Sequence, residues 1–206
     1  MIDPLVEIKL IQETEVSYDQ IHDIIYRAHI VNREKGLFYR TAIFSGEMIK
    51  ERVGDGLTFV AFVENKAVAT ASVCLHIGRH WYDKGLLVAH YCFDAVLPEY
   101  QGKGIMSIID GYRDSYALSS SVKVIRSGTA EGNIAQRNKF MHQGFVPVDY
   151  RYFDGNDFYS VLYARWMDDK YKRSKFVCVV HYCISMFYTK IRFNLAHIFR
   201  RFRKHN

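Results

Sequence analysis

Residues 96–107, which read VLPEYQGKGIMS, form the junction between a β-rich run and an amphipathic helix. The apolar residues that follow this stretch recur at helical spacing. Such a junction directs unbonded backbone N–H groups and the positive end of the helix dipole at one point. Gly102 and Gly104 carry no Cβ that would keep an anion away from the main chain. The stretch therefore predicts a loop that holds a phosphate or a pyrophosphate.

A second motif lies at residues 133–145, which read NIAQRNKFMHQGF. Gln101-x-x-Gly104, followed by Asn-x₆-Phe-x₃-Gly-Phe, resembles the GNAT superfamily of acyl-CoA-dependent N-acyltransferases over about residues 5–166. The family's loop reads Gln/Arg-x-x-Gly-x-Gly/Ala, whereas this chain has Met106 at the last position. The family's later helix carries Tyr where this chain has Phe140.

Hydrophobic periodicity predicts strands and helices in the order β-α-α-β-β-β-α-β-α-β-β, which is the order that the resemblance implies. The expected class is α/β (α+β), with the GNAT fold. This fold has a mixed central sheet of about six to seven strands flanked by helices. We expect residues 1–166 to form the acyltransferase domain and residues 167–206 to form a basic, amphipathic helical extension. The expected strands cover residues 5–11, 58–63, 67–77, 86–96, 122–126, 145–153 and 158–166. The expected helices are a segment that follows a Ser17–Gln20 capping box and residues 46–53, 103–118 and 133–143.

The composition indicates a folded domain without an export signal. Apolar residues make up 49% of the 206 positions, which excludes a disordered chain. The N-terminus lacks a basic segment followed by an apolar one, so we expect a cytoplasmic protein. The four cysteines form no C-x-x-C pair, and Cys74 and Cys92 are expected to be buried thiols in strands.

The positive net charge belongs to the end of the chain. Residues 170–206 contain ten Lys and Arg residues and no acidic residue, whereas residues 1–169 contain 18 basic and 22 acidic residues. A basic isoelectric point therefore does not indicate a nucleic-acid-binding domain, and nucleic acid is not expected as a partner.

The resemblance implies acetyl-CoA as the co-substrate. By that resemblance, Ala95, Val96 and Leu97 line the pantetheine, and the Val96 N–H faces the acyl carbonyl oxygen. Asn133 contacts the cofactor or fixes the preceding loop, and it also suits a helix N-cap. The expected pyrophosphate ligands are Gln101, Gly102, Lys103, Gly104, Ile105 and Met106. If the Met106 N–H still points at phosphate, binding survives; if the missing Cβ is what allows close approach, affinity falls.

The candidate general bases lie in the strand before the loop. Strand alternation predicts that His90, Cys92, Asp94 and Val96 share one face. His90 is the first candidate, because imidazole titrates near neutral pH and some family members carry a glutamate at this position; the alternative is a hydrogen-bonded core histidine. Asp94 is the second candidate.

Phe140 cannot protonate the departing thiolate as the family's tyrosine does. Either Tyr150 or Tyr152 replaces that tyrosine, or the thiolate leaves unaided. The remaining histidines show no metal-ligand spacing, so we expect no metal site.

The acceptor pocket in the family is formed by the first helices and by the loop before the central strand. The residues expected to line it are His29, Asn32, Lys35, Arg40, Trp81 and Tyr82. Trp81 and Tyr82 either stack on a sugar ring or pack in the core.

The last segment of the chain has an apolar stripe at intervals of three or four residues, as in an amphipathic helix. With its basic residues it suits the surface of an anionic membrane. The alternatives are a helix that docks on the domain or on a second subunit in a homodimer, or one that contacts RNA. The stripe contains Phe176, Val180, Cys183, Phe187, Ile191, Leu195, Ile198 and Phe202.

The sequence therefore predicts an N-acetyltransferase that moves an acetyl group from acetyl-CoA to a primary amine. No cysteine lies near the loop as a nucleophile, which favours direct transfer in a ternary complex. The alternatives are a long-chain N-acyl amino acid synthase on the same fold and a CoA-binding module without turnover.

Overall fold

The computed structural model describes residues 6–33 and 36–203, except for the side chains of residues 32 and 193–203. In this part of the chain, seven strands form one mixed sheet in the order β1-β2-β3-β4-β5-β7-β6, and its central pair, β4 and β5, is parallel. The strands are β1 (Val6–Leu10), β2 (Leu57–Val63), β3 (Lys66–Ile77), β4 (Leu87–Val96), β5 (Val124–Ala130), β6 (Val146–Tyr152) and β7 (Tyr159–Trp166).

Within the described residues, five α-helices accompany the sheet, and the order of elements is the predicted one. The Ser17–Gln20 capping box forms as expected, with Ser17 N–H donating to Gln20 Oε1 at 2.8 Å. Its helix buries Ile21, Ile24 and Ile25 because they recur on one face. The helices are α1 (Tyr18–Arg33), α2 (Gly46–Val53), α3 (Ile105–Ser119), α4 (Ile134–His142) and α5 (Lys175–Arg203).

Strand β5 is longer than the sequence indicates. The prediction ended it at Arg126, whereas it continues to Ala130. Ser127, Gly128 and Thr129 obscure the apolar pattern, but pairing with β7 extends the strand through all of them. Tertiary pairing therefore overrides the local signal.

Two apolar clusters hold the layers together. The larger one joins α1, α2 and α3 to the sheet. The smaller one, here called the second core, lies where β4 to β7 meet the β3–β4 loop and α5. Its buried members are Tyr82, Val88, Val124, Val148, Ala164 and Cys178.

Helix α5 docks on the outer edge of β6 through polar side chains. His181 Nδ1 lies 3.0 Å from the Val148 carbonyl oxygen, and Thr189 Oγ1 donates to the Tyr150 carbonyl at 3.1 Å. The Tyr150 N–H donates to Ser185 Oγ at 3.0 Å. These bonds satisfy backbone groups that an edge strand otherwise leaves to solvent or to another chain. Among the described residues, no helix is long and apolar enough to cross a membrane.

Candidate active site

The parallel strands β4 and β5 separate after a short paired segment. Residues 88–90 pair with residues 124–126, and no further pair forms along the two strands, both of which the structure describes in full. At the point of separation, Ser127 Oγ donates to the Tyr91 carbonyl at 3.4 Å. Beyond this point the edge of β4 is open toward β5, and a cleft lies between the two strands.

The backbone of Val96 faces this open edge. Leu97 N–H donates to the Val68 carbonyl on β3 at 2.9 Å. Because successive N–H groups point to opposite sides of a strand, the Val96 N–H points toward the cleft. The Gln101 side chain donates to the Val96 carbonyl at 2.9 Å, which ties the following loop to the end of β4.

The loop of residues 101–106 forms a concave set of backbone donors at the start of α3. Gly102 and Gly104 have φ angles of +76° and +78°, which favour glycine. A Cβ built on either residue meets no atom within 4 Å, so the space in front of the loop is open. Within the described chain, the N–H groups of residues 102–106 have no hydrogen-bond acceptor. Unpaired donors at a helix N-terminus are suited to the two phosphates of a CoA pyrophosphate.

The Met106 side chain lies away from this open space. It packs against the larger core, and its sulfur is 4.0 Å from Arg113 Nη2. The thioether therefore occupies the interior, and the Met106 N–H stays in the loop.

A β-bulge interrupts β4 between His90, its last residue paired with β5, and Val96 at its end. The pairing with β3 shifts between Thr70 and Ser72, where two residues of β4 oppose one residue of β3. Phe93 at the bulge has φ +56°, an uncommon value for a residue other than glycine. His90 and Cys92 share a face as predicted, but the prediction that Asp94 and Val96 lie on it is wrong, because the bulge reverses the alternation of side chains beyond it.

Two sets of contacts show the change of face. Cys92 Sγ lies 3.8 Å from Cys74 Sγ, and the His90 ring contacts the His76 ring. Asp94 instead contacts α3, where its two carboxylate oxygens accept hydrogen bonds from Arg113 at 2.6 and 3.1 Å.

Arg113 joins α3 to the bulge, and sequence reasoning did not identify it. Its guanidinium is buried, lies 4.2 Å from the centre of the Tyr91 ring, and also bonds Asp110. Burial opposes ionisation of Asp110, but Arg113 and Lys139 outweigh that effect and hold its pKa below the usual value. A long basic residue within a helical pattern gave no sign of this role, because two of its partners, the Ser72 carbonyl on β3 and Asp94 on β4, are far away in the sequence.

His90 lies on the last paired residue of β4, at the apex of the cleft. Burial lowers its pKa to about 3, and the positive charge of Arg126 and the nearby His76 add to the effect. The ring is therefore neutral near pH 7, and its protonated form is a much stronger acid than an ordinary imidazolium.

His29 and Asn133 meet across the mouth of the cleft through Tyr39. The His29 ring stacks on Tyr39 at 4.6 Å, and Asn133 Nδ2 donates to the Tyr39 hydroxyl at 3.2 Å. Burial lowers the pKa of His29 to about 4, partly offset by a hydrogen bond to the Asp94 backbone. Asn133 also caps α4, because its side chain accepts from the Gln136 N–H at 3.2 Å.

Arg40 fastens the loop between α1 and α2 to the β6–β7 turn. Its Nη1 donates to the Asp154 carbonyl at 3.0 Å, and its N–H donates to Asn156 Oδ1 at 2.9 Å. Phe38 N–H donates to Asp157 Oδ1 at 2.7 Å. These three bonds, which we call the latch, join the segment after α1 to the β6–β7 turn. Of the other predicted acceptor residues, Lys35 and the side chain of Asn32 lie outside the described residues.

Trp81 and Tyr82 do not line the cleft. Tyr82 is buried in the second core, and the Trp81 ring lies 4.5 Å from the His181 ring of α5. The core alternative for this pair is the one that the structure shows.

The tyrosines near the cleft differ in their contacts. Phe140 is buried against Tyr163, with their ring centres 5.1 Å apart. The Tyr150 hydroxyl donates to Glu131 Oε2 at 2.6 Å, and burial and that carboxylate raise its pKa well above the usual value. Tyr152 donates to the Asn156 carbonyl at 2.8 Å. Over the part of the chain that the structure covers, no cluster of three or more His, Cys, Asp or Glu side chains is arranged to hold a metal ion.

Comparisons with known proteins give structural matches alone. No family model matches the chain, and no curated protein matches its sequence. The ribosomal-protein-S18-alanine N-acetyltransferase from Escherichia coli is similar in structure, with a TM-score of 0.59 and 16% identity over 80% of this chain and 95% of that one. An IAA acetyltransferase from Bacillus cereus is also similar in structure, with a TM-score of 0.55 and 17% identity over 79% of this chain and 100% of that one. A GNAT family acetyltransferase from Elizabethkingia anophelis with acetyl-CoA bound has a TM-score of 0.54 and 15% identity over 79% of this chain and 98% of that one. At these identities the likeness establishes the fold.

Proposed function

We propose that this chain, which has the fold of the GNAT superfamily, is an acyl-CoA-dependent N-acyltransferase that moves an acetyl group to a primary amine. The observation that carries the proposal is the row of unpaired N–H groups at residues 102–106, beside the open edge of β4. The first N–H groups of any helix lack an intrahelical partner, and here they lie beside the open edge of β4, where an extended acyl-CoA could contact both.

Acetyl-CoA would bind along this edge. The N–H groups of Gly102, Lys103, Gly104, Ile105 and Met106 would hold the pyrophosphate, and Gln101 positions their loop through its bond to the end of β4. The backbone of residues 95–97 would lie along the pantetheine, with the Val96 N–H toward the acyl carbonyl oxygen. Asn133, which caps the start of α4, would contact the cofactor or hold the loop before that helix.

The transfer would be direct, in a ternary complex. The lone pair of a neutral amine attacks the thioester carbon, a C–N bond forms, and the C–S bond breaks with its electron pair on sulfur. The Val96 N–H stabilises the negative charge that develops on the carbonyl oxygen. The amine's extra proton leaves to solvent, and the CoA thiolate takes a proton from solvent.

The two predicted bases would act in different ways. His90 is neutral at pH 7, so its ring accepts a hydrogen bond from the amine N–H and orients the nitrogen. Its low pKa makes it a weak base, since an efficient general base has a pKa near the working pH. Asp94 keeps the bulge in place through Arg113.

The thiolate would leave without an acid. Phe140 has no proton to give, and Tyr150 holds its proton tightly beside Glu131. A thiol with a pKa of roughly 8.5 is a good leaving group at neutral pH. We place this reaction in the cytoplasm, where acyl-CoA and reduced thiols occur together.

Calorimetric titration of the full chain with acetyl-CoA and then with palmitoyl-CoA tests the donor. Saturable binding of acetyl-CoA, followed by turnover in a screen of primary amines, supports the proposal. Preference for palmitoyl-CoA supports the long-chain alternative, and binding without turnover of any amine supports a CoA-binding module. If neither thioester binds, the acyltransferase proposal fails.

A further inference from the structure

Helix α5 turns a polar row and the apolar residues Tyr182 and Met186 toward the domain, and it presents its predicted apolar stripe to solvent. Cys178, His181, Ser185 and Thr189 face the sheet edge, and Cys178 is buried there. The described part of the predicted stripe, residues 176–191, lies on the opposite side: Phe176 is 77% exposed and Phe187 64%. The side chains of Leu195, Ile198 and Phe202 lie outside the described residues. An amphipathic helix that served only the fold would turn its apolar stripe inward.

The exposed face is continuous over several turns. Val180, Ile184 and Ile191 lie between or beside the two phenylalanines at helical spacing, and all three are exposed. Contiguous apolar surface of this kind marks an interaction site, whereas single exposed apolar residues do not.

The charges around this face indicate which kind of partner it binds. Arg173 and Lys175 precede the stripe and Arg192 follows it, and all three are exposed. Residues 170–206 contain ten Lys and Arg residues and no acidic residue. In a twofold dimer through this face, like charges would oppose one another without acidic partners, which disfavours a second copy of the chain. The centre of the face is apolar, so it does not match the phosphate backbone of a nucleic acid.

We propose that the outer face of α5 binds the surface of an anionic lipid bilayer. The helix lies in the interface, with Phe176 and Phe187 among the acyl chains and the flanking cations at the lipid headgroups. The polar row keeps the domain attached, so binding of the helix holds the domain at the membrane surface. This inference does not depend on the acyl-transfer proposal, because it concerns a different surface.

Sedimentation of the full chain with vesicles tests the inference. We expect binding to mixed phosphatidylcholine–phosphatidylglycerol vesicles, weaker binding to phosphatidylcholine alone, and loss of binding as salt rises. The Phe176→Ser/Phe187→Ser double variant is expected to bind the mixed vesicles roughly a hundredfold more weakly. Because neither side chain supports the domain, its unfolding midpoint is expected to stay unchanged.

Leu118→Ser is the matched control, since Leu118 is 61% exposed at the end of α3. Its vesicle binding is expected to equal that of the unaltered chain. The lipid proposal is overturned by equal binding to both vesicle types, by the same loss in Leu118→Ser, or by no binding at all. It is also overturned if light scattering shows a dimer that the double variant dissociates while vesicle binding is absent.

Discussion

At the scale of single residues, Met106 shows how the loop accommodates a side chain at a position that suits Gly or Ala. Its thioether packs toward Arg113 in the interior, so the methionine contributes to the core and its N–H remains part of the loop. Gly104 has no such freedom, because φ +78° strains any residue that carries a Cβ.

Gly104→Ala is expected to weaken acetyl-CoA binding at least tenfold. The added Cβ both strains the backbone and occupies the open space in front of the unpaired donors. Gly111→Ala on α3 is the control, because its Cβ also meets no atom within 4 Å but its φ is ordinary. Calorimetry that shows equal affinity for both variants contradicts the assignment of the loop.

The rate of acyl transfer is expected to follow the charge of the acceptor amine rather than that of His90. With a pKa of about 3, His90 does not change protonation between pH 5 and 9, whereas the amine loses its proton as pH rises. The profile of kcat/KM should therefore rise toward the amine's own pKa without an inflection near 6.5. His90→Gln should lower the rate and keep the shape of the profile. An inflection near neutral pH that disappears in His90→Gln would make His90 the base after all.

His90 is also expected to make the fold less stable in acid. Its pKa is about 3 in the folded chain and about 6.5 when unfolded, so the unfolded state binds more protons between these values. The free energy of unfolding should fall by about 2 kcal/mol from this residue as pH drops from 6.5 to 5. Urea unfolding of His90→Gln should show a shallower decline than that of His142→Gln, an exposed control. Equal declines count against the lowered pKa.

At the scale of elements, α5 shows that the periodicity of a helix does not determine which face is buried. The sequence predicts an apolar stripe correctly, but the domain offers a row of backbone N–H and C=O groups on β6. Side chains that donate and accept hydrogen bonds satisfy this edge, and apolar ones do not.

Removing the polar row is expected to destabilise the fold. Ser185→Ala/Thr189→Val leaves the buried Tyr150 carbonyl without these two partners, which costs about 2 kcal/mol. Cys183→Ala, on the exposed side of the same helix, should change the free energy of unfolding by much less. Chemical denaturation of the two variants measures the difference, and equal stabilities would show that α5 is not held by these bonds.

At the scale of the whole molecule, two sets of contacts tie distant parts of the chain to strands β6 and β7. The latch joins the loop before α2 to the β6–β7 turn, and α5 covers β6 and completes the second core with Cys178. The division of the chain at residues 166 and 167 stays a prediction, but α5 is in close contact with the sheet.

Deletion of residues 175–206 is therefore expected to damage the domain as well as remove the tail. It uncovers the edge of β6 and opens the second core, and a bare edge strand can pair with another chain. We expect a lower unfolding midpoint and aggregation, measured by thermal scanning with light scattering. A shortened chain that stays monomeric and equally stable would show that the contact with β6 contributes little. The outer-face variants of α5 are consequently the cleaner test of membrane binding.

The amino-acid sequence alone determined the local features of this protein. The Gly-rich loop, the capping box of α1, the limits of α2 and the apolar stripe of α5 all depend on neighbours within a few residues. Each is present as predicted, the stripe over its described side chains up to Ile191. The order of elements followed from these local signals, and the fold followed from the resemblance that the motifs at residues 101–104 and 133–145 carry.

Only the tertiary structure decided which side of an element these residues face and how their side chains ionise. The bulge at Phe93 moved Asp94 to the side of α3, burial at the cleft made His90 a weak base, and the edge of β6 turned the α5 stripe outward. Each outcome depends on groups far apart in the chain: Arg113 for Asp94, Arg126 and His76 for His90, and the Tyr150 backbone for Ser185. Desolvation and hydrogen-bond pairing arise between elements, so a pattern within one element cannot reveal them.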